Sequence, residues 1–232
     1  MVLATDAFFF DVFQCRGMNF TYSDDKINFQ KASPLFLAPF CLSRLEFSGR
    51  HTVKLLEHAI EIIDVLNSVY GHNGSHAMIV LIGEHAPYNA ENVYNTLTAA
   101  LPLLEEHDVN LIVEPLNAID RVGYTMPYAT PVFDLLRRIN SPRIKMLYDI
   151  YHQNMMGDFS MEEIRENISY IGHFHVADAP GRHEPETGKV DYVSILKEIA
   201  TLPYDGCIGL EYRATRPDGE TLEFLKEAGY LV

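Results

Sequence analysis

Three carboxylates and one imidazole recur from the middle of this sequence onward: Glu114, Asp149, His175 and Glu211, separated by 35, 26 and 36 residues. Each stands at or near the C-terminal end of a short apolar run with strand character. A carboxylate inside such a run, as in Val113-Glu114-Pro115 and Gly209-Leu210-Glu211-Tyr212, is costly to bury unless it is paired or bound to metal. Together the four can hold a divalent cation, and an oxygen-rich donor set suits Mg2+ or Mn2+ better than a structural zinc. Taken singly, each acid is better explained as a helix cap or a solvated loop charge. The spacing, about one strand-plus-helix unit each time, points instead to one shared site, set against the plainer alternative of polar residues lining a barrel mouth.

The elements that must position these residues follow a βα rhythm from about residue 78 onward. Strands are expected over Met78 to Gly83, Asn110 to Glu114, Ile144 to Asp149, Gly172 to Asp178 and Gly206 to Tyr212, all short and mostly apolar as buried parallel strands are. Between them lie helix signals. Thr130-Pro131 reads as a capping hydroxyl before a first-position proline, and Ser160 with Glu163 has capping-box spacing. Buried stripes are expected at Val132, Leu135, Leu136 and Ile139, at Ile164, Ile168 and Ile171, and at Val193, Leu196 and Ile199 or Ala200. An earlier helix is expected from Gly49 to Tyr70, and Pro102 should kink or shorten the helix near Val93 to Leu104. Parallel strands alternating with helices predict an α/β fold of the TIM type, a (β/α)8 barrel whose active site lies at the C-terminal strand ends. The late units leave little chain for three regular early ones, so the N-terminal quarter is expected to be irregular or incomplete. Residues 1–47 show strand-like runs, Ala7 to Phe13 and Leu35 to Phe40, without an amphipathic helix.

A length of 232 residues with 47% hydrophobic content allows one such domain, spanning residues 1–232 with an atypical portion at 1–47. Lys and Arg number 18 against 32 Asp and Glu, and the net charge of -14 argues against nucleic acid and anionic membrane as partners. No apolar run approaches a membrane span, and Asp6 and Asp11 bracket the Ala7-Phe8-Phe9-Phe10 patch, which does not read as a signal peptide. Cys15, Cys41 and Cys207 suit neither a disulfide framework nor a cysteine zinc site, so a reducing, cytoplasmic setting is expected.

Four strings carry a family resemblance: IVEPLN at 112–117, LYDIYH at 147–152, GHFHVADAPGRHEPETG at 172–188 and GLEY at 209–212. They resemble the hydroxypyruvate isomerases and their xylose isomerase-like relatives over roughly residues 49–232. Residues 1–47 do not match the family's first strands and helices. The resemblance implies that Glu114, Asp149, His175 and Glu211 hold the metal and that Glu114 and Glu211 also form the proton-transfer pair. His175 matches a position that is glutamine in some members. His152 matches a substrate-contacting histidine of related sugar epimerases, with a loop or helix-start histidine as the equal alternative. Arg182 matches the arginine of the family's Pro-Gly-Arg loop, where a planar fork suits carboxylate capture rather than a surface ion pair. His183 and Glu184 either orient Arg182 and cover the substrate or lie in a solvated loop. His173 is read as a core or interlayer histidine facing away from His175, and Glu84 and His85 as mouth residues that either contribute to the pocket or have a structural or solvent role.

By this resemblance the expected activity is an isomerase interconverting hydroxypyruvate and 2-hydroxy-3-oxopropanoate (tartronate semialdehyde), its partner a small hydroxy-carbonyl substrate. A ketose 3-epimerase or other sugar isomerase on the same scaffold is the nearest alternative. A catalytically silent barrel acting as a binding protein is the other, because an incomplete barrel leaves strand edges that call for a covering segment or a homo-oligomer. The apurinic endonucleases, more distant relatives that bind DNA, are disfavoured by the charge.

Overall fold

Runs such as VNLIVE and IKMLYD carry only two charged or amide side chains each, too few to face water on either side. Both are buried along nearly their whole length, as strands sandwiched between other layers must be. The computed structural model describes residues 12–15, 19–23, 26–30, 45–47, 76–82, 90–106 and 108–216. Its strands are β1 (Val12–Cys15), β2 (Asn19–Ser23), β3 (Lys26–Gln30), β4 (Leu45–Phe47), β5 (His76–Ile82), β6 (Val109–Glu114), β7 (Ile144–Asp149), β8 (Ile171–Val176) and β9 (Cys207–Leu210). Its helices are α1 (Ala90–Glu106), α2 (Ala129–Ile139), α3 (Ile150–Met156), α4 (Met161–Asn167) and α5 (Tyr192–Ile199).

Strands β4 to β9 pair in parallel in chain order, and β1 adds antiparallel to the outer edge of β9. Strands β2 and β3 form a separate antiparallel pair. Among the described residues of the N-terminal quarter, β1 is an antiparallel edge strand and β2 and β3 pair with each other. The helix expected from Gly49 to Tyr70 and the run Leu35 to Phe40 lie outside the described residues.

The core sits between the sheet and the helices that follow each strand. Helix α2 buries Val132, Phe133, Leu135 and Leu136, with Ile139 half-buried, and its Phe133 ring stacks on Tyr148 of β7 at 6.3 Å. Tyr148 and Phe174 continue the contact at 6.0 Å, and Phe174 meets Tyr204 edge-on at 4.9 Å. Each such side chain contributes roughly 1.5–3 kcal/mol through burial. In α5 the buried face is Tyr192, Ile195, Leu196 and Ile199, so the stripe includes Tyr192 and Ile195, while Val193 is half-buried and Ala200 exposed.

Two helix signals resolve differently from expectation. Ser160 caps α4 by accepting from the Glu163 backbone N–H, as its spacing predicts. Thr130, however, is not the cap of α2. That helix starts two residues earlier behind Tyr128, whose side chain makes no capping bond, and the Thr130 hydroxyl donates to the Glu163 carboxylate at 2.6 Å. Pro131 still fits because the first turn needs no N–H from it. Helix α1 is not shortened at Pro102 but runs on to Glu106, its buried Leu97, Ala100 and Leu104 spanning the proline. Cys207 is disulfide-bonded, which corrects the reading of a chain without disulfides. In the backbone register of β1 on β9, Cys15 stands opposite Cys207, a placement that spacing along the chain could not show. Among the described residues no helix is long and apolar enough to cross a membrane.

Candidate metal centre and active site

Glu114 closes β6, Asp149 closes β7, His175 is the penultimate residue of β8, and Glu211 stands one residue past β9, its N–H still donating to Val176 O. Parallel register sets Asp149 beside His175 and His175 beside Gly209. Each of the four therefore offers one ligand atom at the same sheet end, and these atoms all lie within 4.8 Å of one another. Glu114, Asp149 and His175 are buried and Glu211 nearly so. Three carboxylates so close repel one another strongly in a low-dielectric interior unless positive charge joins them.

Two cations of the chain itself do so. Arg182 places Nη2 2.5 Å from Glu211 Oε2 and 3.8 Å from Asp149 Oδ2. His175 places Nδ1 3.0 Å from Glu211 Oε2 and 4.0 Å from Glu114 Oε1. Burial alone would push the His175 imidazole down, but Glu211, Glu114 and Asp149 outweigh it and the pKa is pushed up to about 9. Burial likewise works against ionised Glu211, yet His175 and Arg182 hold it far below the usual carboxylate range. The donor set fits a divalent ion: three hard oxygens and one imidazole converge, and His175 Nε2, buried, makes no hydrogen bond among the described residues.

His152 lies in α3 against this cluster, Nε2 at 3.4 Å from Asp149 Oδ2 and 3.8 Å from Glu114 Oε1. Here burial wins and the pKa falls to about 4. The expectation that His173 faces away from His175 is wrong. Residues two apart on a strand share a face, and the two rings meet edge-on with centroids 4.9 Å apart. Burial, with His175 beside it, holds His173 well below the ordinary histidine range, so it is neutral beneath the site.

The loop after β8 carries Arg182 in a left-handed backbone conformation, φ 56°. Asp178 O accepts from Arg182 N, Asp178 N donates to His183 O, and Asp178 Oδ1 accepts from Ala179, Lys189 and Val190 N–H groups, so one buried aspartate shapes the loop at both ends. Arg182 lies over the Tyr151 ring at 5.3 Å, and the Tyr151 hydroxyl donates to Asp120 at 2.6 Å. His183 turns its Nδ1 to the Arg213 carbonyl at 2.9 Å. Glu184 is not in a solvated loop: it is buried and accepts from the backbone N–H groups of Thr215 and Arg216, which ties the Arg182 loop to the segment after Glu211. Glu84 and His85 lie outside the described residues.

Sequence reasoning missed Asn117, Asp120, Tyr151, Asp178 and Gly209. Asn117 is buried and contacts His152, and Asn117 with Asp120 has the spacing of a side-chain-stabilised turn directly after Glu114-Pro115, a signal present in the sequence. Gly209 is required by close approach: a Cβ there would come 2.8 Å from His173 Nε2 and 2.9 Å from His175 Cδ2.

With this geometry in hand, the chain belongs to the xylose isomerase-like TIM barrel family, which it matches over residues 31–228. It is 32% identical over 162 residues to a 2-oxo-tetronate isomerase of Cupriavidus necator, covering 68% of this chain and 62% of that protein. It is 30% identical over 145 residues to the hydroxypyruvate isomerase of Escherichia coli K12, covering 60% and 56%. The chain thus spans about three-fifths of the length of these curated relatives. Among solved structures it resembles an AP endonuclease, family 2, from Brucella melitensis, with TM-score 0.66 and 22% identity over 78% of this chain and 69% of that one. At that identity the likeness shows the fold alone.

Proposed function

We propose that this chain is a divalent-metal-dependent isomerase of a small carboxylated hydroxy-carbonyl compound, interconverting hydroxypyruvate and 2-hydroxy-3-oxopropanoate. The observation that carries this reading is the convergence of Glu114, Asp149, His175 and Glu211 on one centre with Arg182 at its edge. Support for the substrate class comes from the two curated relatives, whose names specify isomerisation of 2-oxo acids.

The reaction breaks one carbon–hydrogen bond at the hydroxymethyl carbon and forms another at the neighbouring carbonyl carbon, while a hydroxyl proton passes between the two oxygens. Nothing is oxidised overall. Glu114, Asp149, His175 and Glu211 would hold Mg2+ or Mn2+, which supplies Lewis-acid stabilisation for negative charge on the substrate oxygens. Glu211 is ionised at neutral pH and so is ready to accept a proton. Arg182 takes the substrate carboxylate as a new partner. When it does, Glu211 loses a neighbouring cation and its proton affinity rises at the moment a base is needed. Glu114, entering the turnover protonated, would deliver its own proton at the adjacent carbon, which leaves Glu211 protonated and Glu114 ionised; that state runs the reverse direction, and proton exchange with solvent restores the starting one.

The test is turnover by the purified chain with added Mg2+ or Mn2+ on hydroxypyruvate and 2-oxo-tetronate, against fructose and psicose. Isomerisation of the 2-oxo acids is expected. Activity confined to the ketoses transfers the assignment to a sugar epimerase, and no turnover of any of them with metal demonstrably bound leaves a binding barrel. The same preparation gives the solution mass, which tests for a homo-oligomer.

A further inference from the structure

We propose that Asn117 is a positioning residue that locks His152 in the tautomer with its proton on Nε2, making His152 a neutral hydrogen-bond donor to a substrate oxygen. The inference rests on the isomerase reading above; a substrate contact by His152 is what the family resemblance implies, and the new assignment is that Asn117 fixes which ring nitrogen holds the proton.

Two atoms at this turn can only donate. The backbone N–H groups of Ile119 and Asp120 both reach the side-chain oxygen of Asn117, at 3.1 and 2.7 Å. A backbone N–H has no acceptor capacity, so the atom it meets is the amide oxygen and the other is the NH2 group. That NH2 faces Asp120 Oδ2 at 3.0 Å and His152 Nδ1 at 2.6 Å. The backbone N–H of Asn117 also points at His152 Nδ1, at 3.2 Å. Two donors converge on one ring nitrogen, which must present its lone pair and carry no proton. A neutral imidazole keeps one proton, and only Nε2 remains to hold it.

Nε2 is buried, makes no hydrogen bond among the described residues, and points into the carboxylate cluster between Asp149 and Glu114. A buried donor left unused is costly, which fits a group held for a ligand. The same geometry separates His152 from His175. An Nε2 that carries a proton cannot ligate a metal, and Nδ1 cannot take the proton over while two donors face it. His152 is therefore kept out of the ligand set although it stands beside it. Asp120 completes the arrangement: it accepts from the Asn117 amide and from the Tyr151 hydroxyl, whose ring underlies Arg182. One turn thus orients both the imidazole and the aromatic face beneath the guanidinium.

The experiment is heteronuclear NMR of the full chain labelled with 15N-histidine, with and without Mg2+, beside steady-state kinetics on hydroxypyruvate. Wild type is expected to show His152 as the Nε2–H tautomer in both conditions. Asn117→Asp replaces a donor by an acceptor at Nδ1, so Nδ1 should gain a proton and kcat should fall about a hundredfold, as for loss of one oxyanion donor, with KM moving far less. Asn117→Ala keeps the backbone donor, so the Nε2–H tautomer should persist with a smaller loss. Because the introduced carboxylate would face Asp120, the double variant Asn117→Asp with Asp120→Asn guards against loss of fold. An Nδ1–H tautomer in wild type overturns the proposal, as does an Asn117→Asp protein with unchanged tautomer and kcat. A tautomer that switches as expected in a chain that turns over no substrate upholds the lock and overturns the isomerase reading instead.

Discussion

His152 and His175 stand on either side of the same cluster, 1% and 2% exposed, yet they are held in opposite protonation states. Burial pushes both down. His175 has a carboxylate 3.0 Å from its Nδ1 and gains more from it than burial removes. His152 has donors on Nδ1, its nearest carboxylate lies 3.4 Å from Nε2, and Arg182 opposes a second positive charge nearby. At equal burial the deciding variable is whether the facing group donates or accepts. A carboxylate-lined mouth can therefore carry one charged and one neutral imidazole at neutral pH.

The largest break in this contrast is expected from Glu211→Gln, which removes the partner that charges His175 and one member of the proton-transfer pair. Turnover should fall about 10²–10⁴-fold with the fold intact, and the His175 titration in the metal-free chain should move down toward that of His152. Near-normal isomerisation by this variant with added Mg2+ or Mn2+ would remove Glu211 from the chemistry. Gly209→Ala acts on the packing behind the contrast. Its Cβ would press on both His173 and His175, so a loss of about 1–3 kcal/mol in stability is expected, with weaker Mn2+ binding, read by thermal unfolding and by metal titration.

Acidity sharpens the comparison without mutation. The His175 pKa is raised in the folded chain, so its contribution to metal-free stability is full below 6.5 and is lost as pH rises through about 9. His152 is lowered, so the folded state is weakened as pH falls from 6.5 through about 4. Urea unfolding of the metal-free chain across that range should show both flanks. Mn2+ affinity should rise from pH 6.5 to about 9 because the ion must displace the His175 proton. A flat affinity profile would show that His175 is not protonated before metal binds. The smallest effect is expected from Glu184→Gln, which loosens the tie between the Arg182 loop and Thr215. KM should rise about two- to tenfold, the worth of a net hydrogen bond, with kcat little changed.

Much of this was legible in the sequence. The strand that ends at Glu114 and the one that ends at Asp149 are bounded by apolar runs, and the four candidate ligands could be named from their spacing. What escaped depends on tertiary context. Tyr128 rather than Thr130 precedes α2 because Thr130 finds a partner in Glu163, far away in the chain. For Glu184 a solvated loop stood as an equal alternative because nothing local shows that the segment after β9 folds back over it. The pairing of His173 with His175 was available from strand alternation alone and was misread. Asn117 was passed over because its partner, His152, lies 35 residues further on.

Asp149 divides its two oxygens between different tasks. Oδ1 accepts from the Tyr151 and His152 N–H groups and so begins α3, while Oδ2 faces His152 and Arg182. Helix and site consequently share a hinge pin. A change that removes both oxygens cannot touch reactivity without also fraying the turn that aims His152, whereas asparagine, which keeps an oxygen for the cap, pulls the two tasks apart.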